Sequence, residues 1–240
     1  MARMSRHASE VSMENACKTV LANIRFSSPD RPVKTVSVTS SQPGEGKSTL
    51  SFNLARAAAS SGRETALVEC DMRHRTLASL VGSHGAFGLY AAVTGERTLD
   101  EVAQGTSVSG LSFVDVEPGI PNPSDVIDSE RFRAFVLELR SRFDLVVFDT
   151  PPVGGFVDAA VLSTITDGTL FVVRDNYTRR ELAEEALDQL RKAGANVLGA
   201  VLNCCEREAD ERYYGYYESS AEASAAAPAT PPARVGRHVR

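Results

Sequence analysis

Between residues 41 and 49 the chain reads Ser41-Gln42-Pro43-Gly44-Glu45-Gly46-Lys47-Ser48-Thr49. Glycines in such a loop let backbone N–H groups close around phosphate oxygens, and a following helix adds the positive end of its dipole. Lys47 would then reach the β- and γ-phosphates of a bound nucleotide, and Ser48 would offer its hydroxyl to Mg2+. Ser41 stands where the strict GxxxxGK pattern, followed by Ser or Thr, has its first glycine. Two other segments place carboxylates behind apolar runs: Leu67-Val68-Glu69-Cys70-Asp71-Met72-Arg73 and Leu145-Val146-Val147-Phe148-Asp149-Thr150-Pro151-Pro152. In open parallel sheets ligands sit beyond the carboxyl ends of the strands. Asp71 and Asp149 are therefore predicted to converge on the metal and γ-phosphate held by the loop. A nucleophile is also present. Four of the six tyrosines are Tyr213, Tyr214, Tyr216 and Tyr217, set among Glu206, Glu208, Asp210, Glu211 and Glu218 with Gly215 between the pairs. A phenol has a reference pKa near ~10 and arrives neutral, so a neighbouring carboxylate that takes its proton would help it attack phosphorus.

These groups need a scaffold, and the pattern of the chain supplies one. Apolar positions at helical spacing predict a helix over 13–26. Short Val- and Thr-rich or apolar runs predict strands at 34–40, 65–69, 111–115, 144–148, 168–173 and 196–203. Helices are predicted over 49–61, from a cap at Asp128 or Ser129 through Arg142, over 157–164 and over 179–193. Strands alternating with helices of this length mean βαβ units and a doubly wound, mostly parallel α/β sheet of the phosphate-loop NTPase class. Around the strand at 111–115, residues 74–125 read only as short helices, glycines and turns whose bounds the pattern does not fix. The expected organisation is a polar leader (1–12), a folded phosphate-loop domain (13–203), a tyrosine-rich tail (204–218) and an Ala/Ser/Pro tail (219–240) too poor in apolar surface to order itself.

Composition narrows the classes further. The 240 residues carry a net charge of −5, which argues against nucleic acid held by bulk positive charge. No apolar run approaches the ~20 residues of a membrane span. Cys17, Cys70, Cys204 and Cys205 lack disulfide or metal spacing, which fits a reduced cytoplasm. His7, His74, His84 and His238 have no partners at metal spacing. Cys70 reads as a small buried filler, Tyr90 and Tyr177 as packing residues, and Arg73-His74-Arg75 as a solvated basic face.

The loop, the hhhxxDxR element at 67–73, the hhhhDxPP-type element at 145–152 and the tyrosine cluster together resemble the bacterial tyrosine kinases of capsule and exopolysaccharide biosynthesis. The likeness continues through Pro121-Asn122-Pro123-Ser124, Asp158-Ala159, Asp167-Gly168 and 194–199. It implies an ATP- and Mg2+-dependent protein-tyrosine kinase that phosphorylates its own tyrosine cluster in neighbouring copies. By that resemblance ATP is bound by 42–49 and Asn203, with Ser48, Asp71 and Asp149 at the metal. Lys47, Glu69, Asp71 and Asp149 are the catalytic set, and Tyr213, Tyr214, Tyr216 and Tyr217 the acceptors. The resemblance also implies a transmembrane activator of polysaccharide export that recruits the chain to the inner face of the membrane, and a tyrosine phosphatase that reverses the modification. Two departures stand out. Glu69-Cys70-Asp71 replaces the usual Asp-x-Asp, and Asn15, Lys18 and Leu21 occupy the places of a Glu-x-x-Arg-x-x-Arg pattern that assembles rings. Two other readings stay open: a non-catalytic nucleotide switch acting through a membrane partner, and a partition or division ATPase. The second carries an extra lysine where this chain has Gln42, and neither needs the tyrosine cluster.

Overall fold

Strands flanked by helices on both faces must be apolar on both sides, and the alternation of side chains along each strand shows how this chain divides them. Leu67 and Val147 face one core with Leu50 and Leu54, whereas Val68, Val146 and Phe148 face another with Phe132, Val136 and Leu139. The computed structural model describes residues 2–205, with the backbone alone for 2–10. In chain order the elements are α1 (Ala2–Ser27), β1 (Thr35–Ser40), α2 (Lys47–Ser60), β2 (Thr65–Glu69), α3 (Leu77–Val81), α4 (Leu89–Thr94) and α5 (Leu99–Val102). There follow β3 (Ala103–Gly105), β4 (Leu111–Val114), α6 (Pro123–Ile127), α7 (Glu130–Arg142), β5 (Leu145–Asp149), α8 (Asp158–Ser163), β6 (Gly168–Arg174), α9 (Arg180–Ala193) and β7 (Val197–Asn203).

The sheet order is β3-β4-β2-β5-β1-β6-β7, with only β3 antiparallel to its neighbour. The chain winds outward from β1 through β2 and returns to fill the other side with β6 and β7. The switch of direction leaves a crevice at the carboxyl end of β1, where such folds bind ligands. All six residues of β1 are buried although four are Ser or Thr. Their hydroxyls are satisfied: Thr35 donates to Asp167 at 2.9 Å, Ser37 pairs with Thr169 at 2.9 Å, and Thr39 donates to the Pro151 carbonyl at 3.0 Å. Buried hydroxyls of this kind cost little once paired.

The doubly wound class and the long elements agree with the sequence reading. One helix extends beyond it. α1 starts at Ala2, so its backbone runs through the segment read as a leader; Ala2–Ser27 contains no glycine or proline to stop it. Ser129, not Asp128, caps α7, its Oγ accepting the Phe132 N–H at 3.1 Å. No helix among the described residues is long and apolar enough to cross a membrane. The tail segments beyond residue 205 lie outside the described residues.

Leu139 is fully buried on α7, away from the crevice. Leu139→Ala is expected to cost about 3 kcal/mol by lost transfer energy and cavity formation. Urea unfolding would show it, with nucleotide affinity of the folded protein unchanged.

Candidate active site

The phosphate loop is shaped by two backbone positions and one buried side chain. Gly44 (φ 83°) and Gly46 (φ 90°) both lie in the left-handed region, which residues with a Cβ rarely adopt. Gly46 precedes α2, and a Cβ there would collide with the Asn203 side-chain amide. Lys47 opens α2 and is 8% exposed. Glu45 has no exposed surface. Its Oε2 accepts the Gln42 N–H at 3.0 Å, and its Oε1 accepts the Ser41 hydroxyl at 2.9 Å and the Thr178 hydroxyl. The Glu45 side chain thus braces the loop from within, and Ser41, at the position where glycine is usual, supplies one of the braces.

A second layer ties the loop from outside, at carbonyls. Arg174 Nη1 donates to the Gly44 carbonyl at 2.9 Å, the Tyr177 hydroxyl to the Pro43 carbonyl at 3.2 Å, and Asn203 Nδ2 to the Glu45 carbonyl at 2.9 Å. Arg174 and Asn203 are register partners at the ends of β6 and β7. Tyr177, expected to be a packing residue, is instead 46% exposed and lies against the loop under the Arg174 guanidinium, 4.8 Å from the ring centre. Sequence reading applied the strand-end rule to β1, β2 and β5 and overlooked it at β6, where the same signal marks Arg174–Thr178. Asn203→Ala is expected to weaken ATP binding about 3- to 10-fold, the worth of one net hydrogen bond of about 1 kcal/mol. Titration with a fluorescent nucleotide would measure it.

The carboxylates converge as the strand register requires. Glu69 and Asp149 are partners across β2 and β5. Asp149 is fully buried; its Oδ1 accepts the Ser51 hydroxyl at 3.0 Å, and its Oδ2 has no hydrogen-bond partner among the described residues. Burial pushes its pKa up, opposed by Ser48, Lys47 and Ser51. A buried carboxylate oxygen without a donor costs free energy unless a cation meets it. Asp149 beside Lys47 and Ser48 therefore fits a divalent cation bound with substrate phosphates. Among the described residues no cluster of three or more His, Cys, Asp and Glu could hold a metal. Magnesium does not need one, since it takes one or two carboxylates together with phosphate oxygens and water.

Glu69 is also fully buried, and its pKa is raised by burial first and then by the Asp149 charge. Its Oε1 accepts the Asp71 N–H at 3.1 Å, and its Oε2 accepts those of Thr76 and Leu77 at 2.9 Å each. The carboxylate is occupied in holding the turn after β2. Asp71, 7% exposed, points back onto the same turn, its Oδ1 accepting the His74 N–H at 2.9 Å and the Arg73 N–H at 3.3 Å. Within the basic triplet His74 is exposed, but the two arginines are half-buried and paired. Arg73 pairs with buried Asp158 and stacks on Phe156 at 4.1 Å, and Arg75 pairs with buried Asp115 at 2.7 Å. Their partners lie 85 and 40 positions away, beyond the reach of local pattern. Cys70 is fully buried, as expected of a filler.

Comparison with known proteins places this arrangement in a family. The family model described as ParA, NUBPL iron-transfer P-loop NTPase, matches residues 32–228. The tyrosine-protein kinase YwqD of Bacillus subtilis (strain 168) is 32% identical over 200 residues, covering 83% of this chain and 84% of the relative. The chain belongs to the bacterial tyrosine kinases. This kinase superposes on the solved chimerical protein CapA2B2 with a TM-score of 0.76 at 31% identity, over 80% of this chain and 84% of that one. For the kinase domain of the Escherichia coli tyrosine kinase Etk the TM-score is 0.78 at 26% identity, over 82% and 77%.

Within the kinase, residues 42–49, Glu69, Asp71, Asp149 and Asn203 all lie at the carboxyl ends of β1, β2, β5 and β7. Asn203, expected among the ATP-binding residues, donates its amide to the loop. Tyr213, Tyr214, Tyr216 and Tyr217 lie outside the described residues. On α1, the pattern positions hold Asn15, Lys18 and Leu21, and Lys18 pairs within its own helix with Glu14 at 2.6 Å.

Proposed function

We propose that the kinase transfers the γ-phosphoryl group of ATP to Tyr213, Tyr214, Tyr216 and Tyr217 of a neighbouring copy, in the control of capsule or exopolysaccharide synthesis and export. The observation that carries this reading is the partnerless, buried Oδ2 of Asp149 beside Lys47 and Ser48, in a chain whose sequence is that of a tyrosine kinase. Phosphoryl transfer asks a protein for positioning and charge neutralisation more than for covalent chemistry. The loop N–H groups and the α2 N-terminus would cradle the phosphates, and Lys47 would neutralise their outer charge. Ser48 and Asp149 would hold Mg2+, which when bound screens the phosphate charge that repels an incoming nucleophile.

Two carboxylates could take the phenolic proton. Glu69 is engaged by three backbone N–H groups in the core, so we assign it to positioning the turn and give the proton to Asp71 at the rim. Tail tyrosines on a charged, glycine-containing strip suit delivery to another copy. A transmembrane activator that recruits the kinase to the inner face of the membrane, and a phosphatase that resets the tail, complete the reading.

The test is the purified chain with ATP and Mg2+, with and without the cytoplasmic segment of a candidate activator, read by phosphotyrosine mass spectrometry. Phosphate within 213–217 is the expected result. Intact ATP binding with no phosphotyrosine under either condition would instead make the chain a nucleotide switch.

A further inference from the structure

We propose that Tyr177 is a second phosphoacceptor, modified by another copy of this chain, and that its phosphate closes the nucleotide site it leans on. The inference rests on the transfer reading above and goes beyond it, since the site lies in the folded body and acts on nucleotide binding.

Three observations carry it. Tyr177 is nearly half exposed, and its hydroxyl is held only 3.2 Å from the Pro43 carbonyl. The N–H groups of a phosphate loop converge inward on the ligand, so a side chain that bonds a loop carbonyl sits on the outer side and cannot reach the phosphates cradled within. The donor must then be ATP on another copy. Second, three arginines flank the position, alongside Asp175, Glu181 and Glu184. Arg174 covers the ring, and Arg179 and Arg180 follow with side chains 74% and 86% exposed, paired among the described residues with Glu181 and Glu184 on α9. Arginines hold phosphate dianions by paired, charge-assisted hydrogen bonds. Third, the same residues secure the loop, because Arg174 donates to the Gly44 carbonyl and Thr178 to Glu45.

In the transfer, the Tyr177 oxygen forms a bond to the γ-phosphorus, the bond from that phosphorus to the β,γ-bridging oxygen breaks, and ADP leaves. The phenolic proton passes to a carboxylate of the donor copy. The product has no hydroxyl hydrogen for Pro43 and carries a charge of about −1.5 to −2 at neutral pH. Facing a carbonyl, that charge drives the ring off the loop. It also draws Arg174 from Gly44 and places negative potential beside a site that must accept a polyphosphate. Both outer ties at residues 43 and 44 are lost together.

The experiment has two arms. In the first, full-length Lys47→Met protein, with Asp149→Asn as a second acceptor, is incubated with active kinase, ATP and Mg2+, and its tyrosines are mapped by mass spectrometry. Phosphate on Tyr177 is expected. A modified tail with bare Tyr177 overturns this inference alone, whereas no phosphotyrosine anywhere overturns it together with the transfer reading. In the second arm, phosphotyrosine is installed at position 177 during synthesis, and affinity for a fluorescent ATP analogue is compared with the unmodified chain, a thermal melt confirming folding. Affinity about tenfold weaker or more is expected from the added charge; unchanged affinity overturns the closing role.

Discussion

Replacing Lys47 with methionine is expected to lower phosphotyrosine formation about 10²- to 10³-fold, the loss seen when one preorganised charge-stabilising donor is removed, while leaving the fold intact. The expectation follows from what the side chain does and does not hold. The backbone of Lys47 opens α2, and its carbonyl accepts the Ser51 hydroxyl at 3.0 Å whatever the side chain. Methionine keeps an unbranched apolar stem in a pocket where lysine is 8% exposed. It removes the cation that moderates the buried Asp149 carboxylate and that would face the outer phosphates. Initial rates of tail phosphorylation and a thermal melt measure the two halves. Transfer at the wild-type rate would place the phosphate contact elsewhere.

The parts of this site that were legible in the sequence share one property: their signal is local. Gly44 and Gly46 announce left-handed backbone, Lys47-Ser48 follows at once, and Asp149 ends an apolar run that only a buried strand explains. The parts that were not legible depend on residues brought together by the sheet. The bonds from Arg174, Tyr177 and Asn203 to the loop span more than a hundred positions. Arg73 looked solvated because Asp158 is distant in the chain. Apart from the strand at 111–115, the region 74–125 stayed without element bounds for a related reason. Helices α3, α4, α5 and α6 are of four to six residues, too short to form without tertiary support. α4 starts only because Glu117, some 27 positions on, accepts the N–H groups of Gly88, Tyr90 and Ala91. Glu69 shows a subtler limit. Its type and place suggested a base, and only its three backbone donors reveal a structural load.

Asp149→Asn is expected to separate catalysis from stability, because the two pull on this residue in opposite directions. Its carboxylate is buried with one oxygen unpartnered, and burial raises the pKa of both Asp149 and its register partner Glu69. A carboxyl whose folded-state pKa is raised binds its proton more tightly folded than unfolded. Such a group makes the protein lose stability as pH climbs from the unfolded carboxylate range of about 4 up through the raised folded values. At neutral pH, without cation or nucleotide, the pair is therefore a burden on the fold. Asparagine keeps an oxygen to accept the Ser51 hydroxyl, takes away the charge, and lowers the pKa of Glu69 by removing one of its two raising influences. The ligand-free variant is expected to gain about 1–2 kcal/mol near pH 7, with a flatter pH dependence in urea unfolding. The same change removes the anion that would meet Mg2+, so phosphotyrosine formation should fall about 10²- to 10³-fold. A variant that loses stability along with activity would mean that Asp149 holds the strands together rather than a cation. Slow transfer from a more stable protein is the signature of a carboxylate kept buried for its ligand.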